Sequence, residues 1–174
     1  MSLILVTPLS AVPETMRTYQ PSHLISLLSP EFMIETPGGF PPAQHLRMSV
    51  HDIAAPEPGK EHPSEDHISM LLEFARGWDA KRPMLVHCWA GVSRSMATAF
   101  SVLCDRAGNG AEFRIGRELR ARAPHAYPNR LIVRLADEKL ERQGNMVQAV
   151  EEMGPGTMVE EGPLVEFPLA AFGL

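Results

Sequence analysis

Apolar residues fall into short continuous runs early in the chain and into helix-spaced positions later. Four runs, each bounded by residues that favour turns, predict buried strands: Leu3–Thr7, His23–Leu28, His45–Val50 and Met84–His87. Clusters of Pro and Gly over residues 36–42 and 54–63 predict loops between them. The first half of the chain is therefore predicted to consist mainly of strands and loops.

Helical spacing begins after residue 63. Ser64 suits an N-cap, Glu65 and Asp66 suit the first turn, and residues 68–78 are apolar every three or four positions. Further helices are predicted over Ser95–Ala107, from there to about Arg122, and over Pro128–Arg142, with proline in the first turn of the last. Strands followed by helices predict an α/β fold with a central, mostly parallel sheet flanked by helices.

The chain changes character after Arg142. Residues 143–174 contain five glutamates and no Lys or Arg, so the formal net charge of −5 belongs to this segment. Asn145–Met153 predicts one short helix closed by Gly154, and the remainder predicts an extended tail. An acidic balance argues against nucleic acid as a partner.

Composition narrows the class of protein further. The 174 residues, 44% hydrophobic and 21% charged, are typical of one globular domain. Two cysteines do not form a disulfide framework, which favours a reducing, cytoplasmic location. No run approaches the ~18 apolar residues of a membrane span, so no membrane partner is expected. The seven histidines show no metal-ligand spacing, and we expect neither metal nor cofactor.

The run at residues 84–87 leads directly into residues that can carry chemistry. Cys88 is followed six positions later by Arg94, at the predicted start of a helix. The helix dipole and the guanidinium both stabilise a thiolate at this place. Backbone amides over residues 89–94, with Gly91 allowing close approach, form a cage for a tetrahedral anion. A nucleophile inside an anion cage is what attack on a phosphate monoester requires.

The string His87-Cys88-x-x-Gly91-x-Ser93-Arg94-Ser95 resembles the signature loop of the cysteine-dependent protein-tyrosine and dual-specificity phosphatases. The resemblance covers about residues 45–140 and implies the cysteine phosphatase fold. The central position of the loop, with a candidate acid before it, favours the dual-specificity type. On this basis we expect a phosphatase domain over residues 1–142. Residues 143–174 would be an acidic extension docked on that domain, or on a partner subunit in a homodimer.

The resemblance implies roles for five side chains. Cys88 would attack phosphorus, and Arg94 would bind two phosphate oxygens bidentately. Ser95 would bond the thiolate and assist its departure, and His87 would order the loop and stabilise the thiolate. Asp52 matches the general acid by position only. The expected phosphate-binding loop comprises Trp89, Ala90, Gly91, Val92, Ser93 and Arg94.

Alternatives remain open for several of these residues. Glu57, Glu61 and Asp66 are rivals of Asp52 as the acid, and the hydroxyl after the arginine could cap the helix only. The segment 128–130, Pro-Asn-Arg, is similar to one in bacterial members of the family, but no role follows from that. Cys104 lies about ten residues into the predicted helix, too far from Cys88 for a disulfide, and is expected in the core.

The predicted function is hydrolysis of phosphate monoesters through a phosphocysteine intermediate, with phosphotyrosine or dual-specificity protein phosphatase activity. The expected partner is a phosphorylated protein or a small phosphate monoester. The variable loop positions 89, 90 and 92 carry no Lys, which differs from the phosphoinositide-directed branch. Alternatives are a small-molecule or nucleotide phosphatase with the same loop, and a non-catalytic module that binds phosphorylated proteins. A rhodanese-like sulfur transferase fits the Arg-Ser pair less well.

Overall fold

A computed structural model describes residues 2–174, which build one five-stranded sheet and six α-helices. The strands are β1 (Leu3–Pro8), β2 (His23–Leu28), β3 (His45–Ser49), β4 (Met84–Cys88) and β5 (Val165–Pro168). The helices are α1 (Val12–Tyr19), α2 (Glu65–Arg76), α3 (Arg94–Ala107), α4 (Glu112–Arg122), α5 (Arg130–Lys139) and α6 (Asn145–Met153). The four predicted strands are confirmed, with ends within one residue of those expected.

The sheet order is β3-β2-β4-β1-β5, in which the first four strands are parallel and β5 is antiparallel to β1. Successive side chains of a strand point to opposite faces, so β1 contributes to two cores. Ile4 and Val6 face the larger core with the helices that follow β3, and Leu3 and Leu5 face a smaller one with α1. The predicted α/β fold with a central, mostly parallel sheet is confirmed.

Two predicted helix starts have different outcomes. Ser64 caps α2 as predicted, because its hydroxyl accepts from the backbone N–H of His67 at 3.4 Å. The prediction that Pro128 lies in the first turn of the helix now identified as α5 is wrong. Asn129 is the N-cap of α5, since its Oδ1 accepts from the backbone N–H of Ile132 at 3.0 Å and displaces the start to Arg130.

The end of α5 and two other elements also differ from expectation. The helix ends at Lys139 and not at Arg142, because Glu141 adopts a left-handed backbone with φ of 55°. The short helix α1 was not predicted. Neither was β5, which pairs with β1 and is followed by Phe172, completely buried in the larger core.

The carboxyl ends of the parallel strands meet at one edge of the sheet, where ligands bind in such folds. Pro8 at the end of β1 lies beside Cys88 at the end of β4. The chain leaves β3 toward Asp52 at the same edge. In the described part of the chain, 2–174, no helix is long and apolar enough to cross a membrane.

Candidate active site

The predicted phosphate-binding loop is the connection between β4 and α3. Cys88 ends the strand and Arg94 begins the helix, so residues 89–93 form a tight loop. Gly91 has a φ of 70°, and a Cβ there would lie 2.8 Å from the backbone nitrogen of Pro8. Only glycine allows both this conformation and this close approach.

The backbone carbonyls of the loop are bound by amides from other segments. The bonds are Leu9 N to Trp89 O at 3.0 Å, Gly162 N to Ala90 O at 2.8 Å, Tyr127 N to Val92 O at 2.9 Å, and Asn129 N to Ser93 O at 3.2 Å. The backbone N–H groups of residues 89–93 themselves donate to no protein acceptor within residues 2–174. The loop thus presents a set of free donors, which is the arrangement that binds an anion.

Cys88 and Ser95 face each other at the base of this loop. The Sγ atom of Cys88 lies 3.1 Å from the Ser95 hydroxyl, and both side chains are buried. A hydroxyl at this distance can donate to a thiolate and stabilise it, both at rest and as a leaving group. The structure therefore brings together the two residues for which the sequence predicts this contact.

Arg94 is buried without a carboxylate partner. The side chain is 5% exposed, and one terminal nitrogen donates to Val50 O at 2.7 Å. Its Nε has no partner, and no Asp or Glu in residues 2–174 forms an ion pair with it. A buried charge of this kind is costly unless an anion neutralises it. The remaining donors of the planar guanidinium match two oxygens of a phosphate.

His87 is completely buried behind the loop. Its Nδ1 lies 3.4 Å from Cys88 O and its Nε2 lies 2.6 Å from the hydroxyl of Ser26. Burial lowers the pKa of His87 to about 4, so the imidazole is neutral at physiological pH. A neutral ring influences the nucleophile through hydrogen bonds and not through a positive charge.

Asp52 lies at the rim of the loop, where two side chains hold one of its oxygens. Oδ1 accepts from the Ser93 hydroxyl at 2.7 Å and from Asn129 Nδ2 at 2.8 Å. The amide of Asn129 also donates to Ile53 O at 3.1 Å. The other oxygen, Oδ2, has no hydrogen-bond partner among the residues that the structure describes. The carboxyl group is therefore oriented at the loop and keeps one oxygen available to a substrate.

Within residues 2–174, none of the three rival carboxylates forms a hydrogen bond to the phosphate-binding loop. Glu57 pairs with Lys60 at 2.6 Å on the surface, and Asp66 lies in the first turn of α2. The backbone of Glu61 bonds His51. The contact of Asn129 with Asp52 is not predictable from the Pro-Asn-Arg segment alone, because that segment implies no role by itself.

Aromatic side chains surround the mouth of the loop. Trp89 and Phe32 are each about half exposed, with ring centroids 4.8 Å apart. On another side of the mouth a cleft of about 440 Å³ is lined by residues that include Asp52, Ser93, Tyr127 and Arg130. Within residues 2–174 no group of three or more His, Cys, Asp or Glu side chains has the geometry of a metal site.

Cys104 has none of these features. It is completely buried in α3, and burial, followed by the charge of Glu112, raises the pKa of its thiol strongly. Neither cysteine forms a disulfide. The prediction that Cys104 is a core residue is confirmed.

No protein-family model matches the sequence, and no curated protein matches it significantly. Solved structures are similar in fold. The PTP-2 phosphatase of Cydia pomonella is 19% identical, with a TM-score of 0.56 over 78% of this chain and 84% of that one. The human tyrosine phosphatase-like serine/threonine/tyrosine-interacting protein is 19% identical, with a TM-score of 0.59 over 78% of this chain and 89% of that one. PTPMT1 in complex with PI(5)P is 17% identical, with a TM-score of 0.60 over 86% and 96%.

These likenesses identify the architecture. The chain has the fold of the cysteine-dependent protein-tyrosine and dual-specificity phosphatases. The sequence resemblance of the signature loop implied the same fold, and that expectation is confirmed.

Proposed function

We propose that this protein hydrolyses phosphate monoesters through a phosphocysteine intermediate. One observation carries the proposal: the Sγ of Cys88 and the guanidinium of Arg94, which has no carboxylate partner, flank one loop whose backbone amides donate to no protein acceptor within residues 2–174. A nucleophile and a phosphate-binding cage then act on the same group. The fold, which is that of known phosphatases, supports the same conclusion.

The reaction proceeds in two displacements. The thiolate of Cys88 attacks phosphorus in line, a P–S bond forms, and the P–O bond to the leaving group breaks. Protonated Asp52 gives its proton to the departing oxygen. Arg94 and the loop amides bind the equatorial oxygens, whose charge is spread in the transition state.

The second displacement regenerates the enzyme. Asp52, now a carboxylate, takes a proton from a water molecule as that water attacks phosphorus. The P–S bond breaks, and the hydroxyl of Ser95 donates to the departing thiolate of Cys88. The products are inorganic phosphate and the free thiolate, with Asp52 protonated again.

We propose phosphorylated proteins as the substrate class, phosphotyrosine in particular. The aromatic rings of Trp89, Phe32 and Tyr127 at the mouth offer contacts to the ring of a phosphorylated side chain. Trp89, Ala90 and Val92 add no cation that would favour inositol phosphates. A cytoplasmic location is part of this proposal, because a thiolate nucleophile needs a reducing compartment.

A phosphatase screen tests the function. The wild-type protein is assayed on phosphotyrosine, phosphoserine and phosphothreonine peptides, nucleotides and inositol phosphates, with Cys88→Ser as the inactive control. We expect release of phosphate from phosphotyrosine peptides, without any effect of EDTA. Preference for nucleotides would assign the small-molecule alternative instead. Tight binding of phosphopeptides with no turnover of any substrate would mean that the protein is a binding module.

A further inference from the structure

Three buried polar side chains lie side by side across the sheet, behind the active site. Ser26 on β2 is the register neighbour of His87 on β4, and it also reaches His45 on β3. The Ser26 hydroxyl is 2.6 Å from His87 Nε2 and 2.8 Å from His45 Nε2. On its other side, His45 Nδ1 lies 3.0 Å from the hydroxyl of Thr36.

These hydrogen bonds form a chain from His87 through Ser26 and His45 to Thr36. The rules for donors and acceptors allow only one direction of donation along this hydrogen-bond chain. Cys88 O can only accept, so the His87 Nδ1 beside it carries the proton, and the neutral ring therefore accepts at Nε2. Ser26 must donate to that nitrogen, which leaves its oxygen to accept from His45 Nε2–H. His45 Nδ1 is then bare and accepts from the hydroxyl of Thr36. The two histidines are thus opposite tautomers.

The surroundings keep both rings neutral. The pKa of His45 is lowered to about 4, mainly by burial and to a smaller extent by Arg47, while Glu35 acts in the opposite direction. The pKa of His87 is also lowered to about 4, mainly by burial; the hydrogen bond to the Cys88 carbonyl acts in the opposite direction, and His45 and Arg94 contribute smaller lowering effects. A protonated ring would carry two donors and could no longer accept from a neighbouring hydroxyl, so the donor and acceptor roles along the hydrogen bonds would change.

We propose that Ser26 and His45 are positioning residues for the nucleophile: together with Thr36 they fix the tautomer of His87, and through it the orientation of the Cys88 carbonyl and thiolate. The proposal rests on the proposed function of Cys88. It adds that residues on two strands outside the signature loop control the reactivity of that thiolate. Without the Ser26 hydroxyl, His87 is free to move its proton to Nε2, and its bare Nδ1 would then face the Cys88 carbonyl and repel it.

Nitrogen-15 NMR of the imidazoles tests the chain without any substrate. At neutral pH we expect His87 to carry its proton on Nδ1 and His45 on Nε2. In Ser26→Ala the His87 signals should shift toward the other tautomer. Protonation of wild-type His87 at Nε2, or identical tautomers in the wild type and Ser26→Ala, would overturn the proposal. The wild-type spectrum decides even if the variant does not fold.

Alkylation of Cys88 by iodoacetamide, followed by mass spectrometry across pH, measures the consequence. Ser26→Ala and His45→Leu should slow alkylation at neutral pH about tenfold. His45→Gln keeps a donor toward Ser26 and should restore most of the rate. His62→Leu, a histidine outside the chain, should change nothing.

Equal rates of Cys88 alkylation in all of these folded variants would mean that the hydrogen-bond chain is only structural, which contradicts the proposal. The result is separable from the function of the protein. Suppose that Cys88 is reactive and its reactivity depends on the tautomer of His87, but no phosphate is hydrolysed. This result would reject the proposed function and leave the proposal about the hydrogen-bond chain intact.

Discussion

A buried cysteine and a buried arginine lie at each end of helix α3, but only one of the two arginines has a carboxylate partner. At the start of the helix, Cys88 faces a hydroxyl and Arg94 has no carboxylate partner. At its end, Arg142 packs against the helix, donates to Cys104 O at 3.0 Å, and pairs with Glu112 at 2.8 Å. Both arginines are 5% exposed, so depth of burial does not distinguish them.

What distinguishes the two ends is compensation of charge. The guanidinium of Arg142 is neutralised within the protein, and the negative end of the helix dipole disfavours a thiolate there. The guanidinium of Arg94 stands at the positive end of the helix and has no carboxylate partner within residues 2–174. The comparison favours the proposal that an anion binds at Arg94, the buried cation that no carboxylate neutralises.

Exchange of each cysteine for serine gives the largest expected contrast. Cys88→Ser should reduce turnover of an aryl phosphate to below ~1% of wild type, because an alcohol is a poor nucleophile at neutral pH. Binding of phosphate or vanadate should persist. Cys104→Ser should keep the activity and lose only stability, since Cys104 lies in the core. Comparable turnover in Cys88→Ser and wild type would eliminate the thiolate mechanism.

Asp52→Asn tests the proposed general acid beside the phosphate-binding loop. We expect kcat/KM to fall by roughly 10²–10⁴-fold for an alkyl phosphate, whose leaving oxygen needs a proton, and little for an activated aryl phosphate. The basic limb of the pH profile should disappear, because asparagine does not ionise. Asn129→Ala removes one hydrogen bond to this carboxyl group. It should also lower kcat/KM more for the alkyl phosphate than for the aryl phosphate, but by a smaller factor. A basic limb that persists in Asp52→Asn would move the role to another carboxylate.

Substitution of the two arginines separates function from stability. Arg94→Lys should lower kcat/KM by roughly 10²–10³-fold with little change in unfolding temperature, because an ammonium cannot bind two oxygens in parallel. Arg142→Leu should instead destabilise the fold by about 3–5 kcal/mol, since Glu112 would be left buried and unpaired. Adding Glu112→Leu should recover part of that loss. Urea unfolding and steady-state rates, measured on the same variants, check both expectations.

The buried neutral histidines should make the stability of the protein depend on pH. His45 and His87 have a pKa of about 4 in the fold and an ordinary value near 6.5 when unfolded. The unfolded chain therefore binds more protons between about pH 6.5 and 4, and stability falls as the pH falls through this window. Each unit of lowered pKa corresponds to about 1.4 kcal/mol. His45→Gln should flatten the fall between pH 6.5 and 4.5, and an unchanged slope would contradict a buried neutral His45.

Local sequence signals predict the four parallel strands, most helix positions and the signature loop, because these depend on periodicity and on near neighbours in the sequence. The hydrogen bonds that join His87, Ser26 and His45 are not predicted, because they connect three strands that are far apart in sequence. The contact of Asn129 with Asp52 spans 77 positions and was missed for the same reason.

Short elements were the other difficulty. β5 has only four residues, and its two inward side chains, Val165 and Phe167, alternate too briefly to indicate a strand by themselves. Its place is determined by pairing with β1 at the other end of the chain. Tertiary context, which one sequence does not disclose, decides such segments.

Trapping the intermediate tests the central claim most directly. The protein is mixed with a phosphotyrosine peptide or an aryl phosphate, quenched in denaturant within milliseconds of mixing, digested, and analysed by mass spectrometry. We predict one phosphoryl group on the Sγ of Cys88, present also in Cys104→Ser and absent in Cys88→Ser. Steady release of inorganic phosphate while Cys88 stays unmodified at every quench time, with equal turnover in Cys88→Ser, would contradict the phosphocysteine mechanism.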